Sequence, residues 1–85
     1  AMTLPAFAKT IRQRGMQLSA ASILLYDDKA FYMNGERCLP PATVKTLLRR
    51  FADRRMLAPA SAIPSAAAEV LYDWYRAGFI APASD

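Results

Sequence analysis

Eighty-five residues, 54% of them hydrophobic and 21% charged, are enough to bury one small, thin core. They exclude both a second domain and an intrinsically disordered chain. A single cysteine, Cys38, excludes an internal disulfide, and the complete absence of histidine excludes Ser-His-Asp, Cys-His and His-ligated metal arrangements.

Leu4, Phe7, Ala8 and Ile11 recur at three- and four-residue spacing and predict a short amphipathic helix, with Thr3 as N-cap and Gly15 as stop. Lys9, Arg12 and Arg14 fall off its apolar stripe and read as a solvated face. Residues 1–17 are taken as an N-terminal connecting helix and residues 18–85 as a winged-helix-like domain. From Met16 to Pro41 the period changes. "SILLYD" and "AFYMN" are short apolar runs parted by Asp27-Asp28-Lys29, and Asn34-Gly35 parts the second run from "ERCL". Asn-Gly between such runs is a strong hairpin signal, because both residues tolerate the positive φ of a type I′ turn. A three-stranded antiparallel meander is expected, ended by Pro40-Pro41, since proline cannot donate to a ladder.

Val44, Leu47, Leu48 and Phe51 mark the buried stripe of a helix over 42–55, with Lys45, Arg49, Arg50, Asp53 and Arg54 turned away from it. "LAPASAIP", residues 57–64, is expected to hold one helical turn. A last helix opens at Pro64 or Ser65 and runs to Ala77. It turns Ala67, Val70, Leu71 and Trp74 inward and stops at Gly78. "FIAP" closes the chain as a short extended stretch. The expected fold is α+β: a small winged-helix-like domain in which a three-stranded antiparallel meander packs with three to four helices.

The formal net charge of +4 admits an anionic partner without specifying one. The helix in the recognition position exposes Glu69, Asp73 and Arg76, and the first hairpin tip is Asp27-Asp28. Carboxylates there would repel a phosphate backbone, which argues against sequence-specific DNA binding. Lys45, Arg49, Arg50 and Arg54, with Arg55 beside them, form the candidate anion- or partner-contact face. RNA phosphate or an acidic protein surface would suit it, and an ordinary solvated helix face is the competing reading.

Tyr26, Phe31, Tyr32, Trp74, Tyr75 and Phe79 could stack bases, but Trp74 and Phe79 read as core. Cys38 reads as an inert thiol, with Arg37 on the opposite strand face. Glu36, Asp27 and Asp28 sit in solvated turns, where nothing tunes them for proton transfer. No catalytic or metal-ligating residue is assigned. No stretch approaches the roughly 18 to 20 apolar residues that cross a bilayer, and the N-terminus lacks the basic-then-apolar order of a signal peptide. A soluble, cytoplasmic domain with no membrane partner is expected.

From Leu18 to Pro82 the chain resembles the C-terminal winged-helix region of the JmjC-type ribosomal oxygenases of the cupin superfamily. The resemblance rests on "ILLYDDKAFYMNGE" with its Asn34-Gly35-Glu36 turn, the following "LP", then "FADRRML" and "LYDWYRAGFIAP". Enzymes of that family use Fe(II) and 2-oxoglutarate, bound in a separate N-terminal barrel by histidine and carboxylate. None of those ligands can be carried onto a chain without histidine, so no cofactor is expected in this domain. The resemblance implies a non-catalytic accessory role: packing on the preceding domains of a parent chain, supporting a homodimer, or positioning a ribosomal protein or RNA. The chain is also similar to PqqD-like leader-peptide-binding modules, which capture a peptide by strand addition beside a helix. That reading gains weight if Met2 is a natural start and the protein is free-standing. A winged-helix nucleic-acid-binding domain is the third reading.

Overall fold

The computed structural model describes residues 2–60 and 63–83. Among them the chain runs through α1 (Leu4–Arg14), β1 (Met16–Leu18), β2 (Leu24–Tyr26), β3 (Phe31–Met33) and β4 (Glu36–Cys38). A 3-10 turn (Ala42–Val44) then leads into α2 (Lys45–Arg54), followed by β5 (Met56–Leu57), α3 (Ser65–Arg76) and β6 (Ile80–Pro82). The architecture is α+β, with three α-helices and two three-stranded antiparallel sheets, and is consistent with a winged-helix-like domain.

The first helix starts where Thr3 Oγ1 accepts the Ala6 N–H at 3.4 Å and ends where the Gly15 N–H bonds the Ile11 carbonyl at 2.8 Å. Both ends follow from residue type: a side-chain cap for free N–H groups, and a glycine at φ +75°. The meander β2–β3–β4 has the expected order. Leu25 lies opposite Tyr32, and Tyr32 opposite Arg37. Asn34 and Gly35 adopt φ of 52° and 84°, as a type I′ turn requires. Asn34 does more than turn the chain. Its Oδ1 accepts the Ile23 N–H at 2.8 Å and its Nδ2 donates to Ser22 Oγ at 3.3 Å, which fastens the start of β2.

The second sheet was not expected. β1 is its central strand, between β5 and β6, pairing Met16 with Leu57 and Leu18 with Ile80. The "FIAP" stretch is therefore a paired strand, extended by the Ala83 N–H bonding Gly15 O at 3.1 Å. Its strands are two or three residues long and distant in sequence, so no turn motif announces their pairing. The helical turn expected over 57–64 is corrected: Leu57 closes β5 and residues 58–60 are irregular, while 61–62 lie outside the described residues. The short helical turn instead precedes α2, where the Val44 N–H bonds Pro41 O at 3.1 Å. Proline's preset φ starts such a turn readily.

The core joins all of these elements. Phe7 and Ile11 of α1, Met16 of β1, Met33 of β3, Leu48 and Phe51 of α2 and Leu71 of α3 are fully buried in one cluster. Leu47 and Val70, on the flanks of their stripes, are only half-buried. Phe7 stacks on Tyr75 at 4.9 Å between ring centroids and tilts against Tyr72 at 5.5 Å. Tyr72 donates its hydroxyl to Met2 O at 2.8 Å, while the Met2 N–H reaches Tyr75 Oη at 3.2 Å. No buried side-chain nitrogen or oxygen lacks a partner among the described residues, as a settled core requires. No described helix is long and apolar enough to cross a membrane.

Candidate functional site

The second helix forms because its apolar residues keep one stripe while long basic residues fill the rest of its surface. Helical geometry then divides the four candidate cations into pairs. Lys45 and Arg49 lie one turn apart, as do Arg50 and Arg54, and the two pairs point in different directions. Lys45 and Arg49 are half-buried, and Arg50 and Arg54 are exposed.

Arg49 places its guanidinium carbon 5.8 Å from the Tyr26 ring centroid, a cation–π contact between α2 and the meander. The same tyrosine donates its hydroxyl to Asp53 Oδ1 at 2.9 Å. That hydrogen bond raises the Tyr26 phenol above its ordinary pKa. Burial and the Asp53 charge add to the effect, against the opposing pull of Arg49. Arg49 therefore belongs to a Tyr26–Asp53 cluster joining β2 to α2.

Arg50 and Arg54 instead rim a groove of about 320 Å³ between α2 and β5. Its described walls are apolar: Leu47, Met56, Leu57, Ala58, Pro59, Ala60 and Ile63. The other arginines with described hydrogen bonds are committed to the fold. Arg12 Nη2 donates to Ile63 O at 3.2 Å, Arg14 Nε to Ala83 O at 3.0 Å, and Arg55 Nη2 to Ser19 O at 3.3 Å. Arg14 is exposed, as a solvated face predicts, while Arg12 is half-buried and anchors the loop at Ile63. Arg55 also closes α2 in the left-handed region at φ 60°.

The remaining candidates resolve into scaffold. Asp27 accepts the Lys29 N–H at 2.8 Å, the Ala30 N–H at 2.9 Å and the Tyr32 hydroxyl at 3.0 Å. The two backbone bonds, then the phenol, hold its carboxyl below the usual carboxylate range, so it is ionised at neutral pH. It builds the turn between β2 and β3. Cys38 is half-buried, and burial, then the nearby Asp73 charge, pushes its thiol up and disfavours the thiolate. Phe31 and Trp74 are buried, so the six aromatic residues share no exposed stacking surface. Phe79, expected in the core, is half-buried and packs against it. On α3, Glu69, Asp73 and Arg76 are exposed, and Arg76 lies 5.9 Å over the Tyr72 ring.

The histidine-and-carboxylate set that holds iron in the ribosomal oxygenases has no counterpart among the described residues. The chain has no histidine, and no group of three His, Cys, Asp or Glu side chains converges among the described residues.

Two features escaped the sequence reading. One is the groove, which needs β5 folded back against α2. The other is a set of exposed apolar residues along the meander: Ile23, just before β2, is 59% exposed, Leu25 61%, and Leu39, just after β4, 63%. A signal for this set was present. The unbroken "ILL" run cannot bury both faces of a strand whose sheet packs on one side only. No family model, characterised protein or solved structure matches the chain.

Proposed function

We propose that this chain is a non-catalytic accessory domain that docks on another protein surface, as the resemblance to the C-terminal region of ribosomal-oxygenase-like cupin proteins implies. The observation that carries the reading is the exposed apolar set of the meander. Ile23, Leu25 and Leu39 are each more than half exposed, and Leu25 continues in register through Tyr32 to Arg37. Exposed apolar side chains grouped on one small sheet, with a polar margin at Arg37, suit a surface that another protein covers. The partner is a folded domain, in the first instance one carried by the same polypeptide.

The test joins genetics to exchange. The reading expects an in-frame JmjC barrel upstream, and slower amide exchange at β2 and β3 in the longer protein than in the 85-residue chain. Equal exchange at these strands in both proteins would overturn it.

A second reading draws on one further observation. Among the described residues β2 is an edge strand, paired only with β3, and its Tyr26 end abuts α2. A leader peptide could add to that edge beside the helix, as in PqqD-like modules. Titration with such a peptide should then shift the amides of Leu24 and Tyr26, and a silent titration discards this reading.

A further inference from the structure

The groove between α2 and β5 is a different surface from the exposed apolar set of the meander, and it has its own chemistry. Its described walls are apolar, with Leu57 and Ile63 buried and Met56 49% exposed. At about 320 Å³ it lies at the lower end of ligand-pocket volumes, roughly 300 to 1,000 Å³. That admits an anchoring side chain and not a folded partner. Along one rim stand Arg50 and Arg54, one helical turn apart and exposed. No carboxylate lines the groove among the described residues, and Asp53, the acid between them in sequence, is held by Tyr26.

Two like charges spaced i, i+4 destabilise a helix slightly, and an anion shared between them reverses the sign. Their planar guanidinium forks suit carboxylates held side by side.

We infer that the Arg50–Arg54 groove binds an extended acidic–apolar peptide segment, its carboxylates on the two arginines and an apolar side chain in the groove. In an extended chain, residues i and i+2 point the same way about 6.6 Å apart, which is close to the spacing of the two arginines along the helix. The residue between them points the other way, leaving an apolar side chain there to meet the apolar lining. A protein segment fits better than RNA. Phosphates would satisfy the arginines, but the described lining has no aromatic face on which a base could stack.

The experiment is an amide-shift titration of the 85-residue chain with a blocked hexapeptide of sequence glycine-glutamate-leucine-glutamate-leucine-glycine. Saturable shifts are expected at Leu47, Arg50, Arg54, Met56 and Ala58. The joint charge reversal R50E/R54E should weaken binding about tenfold or more, and R50K/R54K should lose less, since lysine keeps charge without the fork. Both arginines are exposed, so each variant should retain the wild-type dispersion of core amides, which the same spectra report. Replacing the peptide's leucines by glycine should also weaken binding. The inference is overturned by any of three results: no shifts into the millimolar range, unchanged affinity of R50E/R54E, or equal affinity for the leucine-free peptide. It is likewise overturned if a uridine oligonucleotide shifts these amides and the acidic peptide does not. None of these results bears on docking through the meander, which is read out at β2 and β3.

Discussion

The Tyr26 hydroxyl stands 2.9 Å from Asp53 Oδ1, so the end of β2 is fastened to the last turn of α2 by residues 27 positions apart. Arg49 lies over the same ring at 5.8 Å and Phe31 beside it at 5.5 Å. The tyrosine is thus the hub through which the meander meets the helix. Its protonated form is favoured in the fold, because the phenol's pKa is raised by the bond to Asp53. The contribution is fully present below the ordinary tyrosine range and fades as pH climbs through the raised value. Tyr26→Phe should therefore flatten the alkaline limb of the stability profile. In a double-mutant cycle, Y26F and D53N should be non-additive. Additive effects in chemical denaturation would show that the two residues do not interact.

Asp27 sets the opposite limb. Its carboxyl lies below the ordinary value because two backbone N–H groups and the Tyr32 hydroxyl bond the charged form. A depressed folded pKa contributes stability above the unfolded value, and that stability is lost as pH falls through the folded one. Asp27→Ala should lower stability at neutral pH and shrink the decline on acidification. Denaturation midpoints measured from neutral to strongly acidic pH check this, and an unchanged acid limb in D27A would refute it.

Gly15 and Gly35 share a positive φ but not a neighbourhood. A Cβ on Gly15 would collide with the Leu57 carbonyl oxygen, whereas Gly35 has nothing within 4 Å. Gly35→Ala should cost about 1 kcal/mol, the left-handed penalty alone. Gly15→Ala adds displacement of β5 from β1 and should cost at least about 2 kcal/mol. Urea denaturation of the two variants decides the ranking.

Phe7 tests whether α1 is only a connection. It is fully buried and packs on Tyr72 and Tyr75 of α3. Phe7→Ala should remove about 3 to 5 kcal/mol, in the range of Leu71→Ala at about 2 to 5 kcal/mol. In a domain whose whole stability is of the order of 5 to 15 kcal/mol, thermal unfolding should show both losses plainly. A loss below about 1 kcal/mol for F7A would mean that α1 is peripheral.

Sequence alone determined the elements whose causes are local. Thr3 caps and Gly15 stops the first helix, Asn34-Gly35 turns the hairpin, and the Leu48–Phe51 and Leu71–Trp74 spacings pick the inward faces of the other two helices. It also named the four candidate cations of α2. Which of them act together was decided by tertiary structure, because only a folded neighbour distinguishes one exposed helical direction from another. Arg49 is drawn to a tyrosine on a strand, and Arg50 and Arg54 to a groove that exists once Met56–Leu57 pairs with β1. That sheet was illegible for the same reason. Its three short strands come from the start, middle and end of the chain, and their pairing is enforced by the burial of Met16, Leu57 and Ile80 in the common core. Local sequence specifies turns and stripes, whereas long-range burial specifies which of them meet.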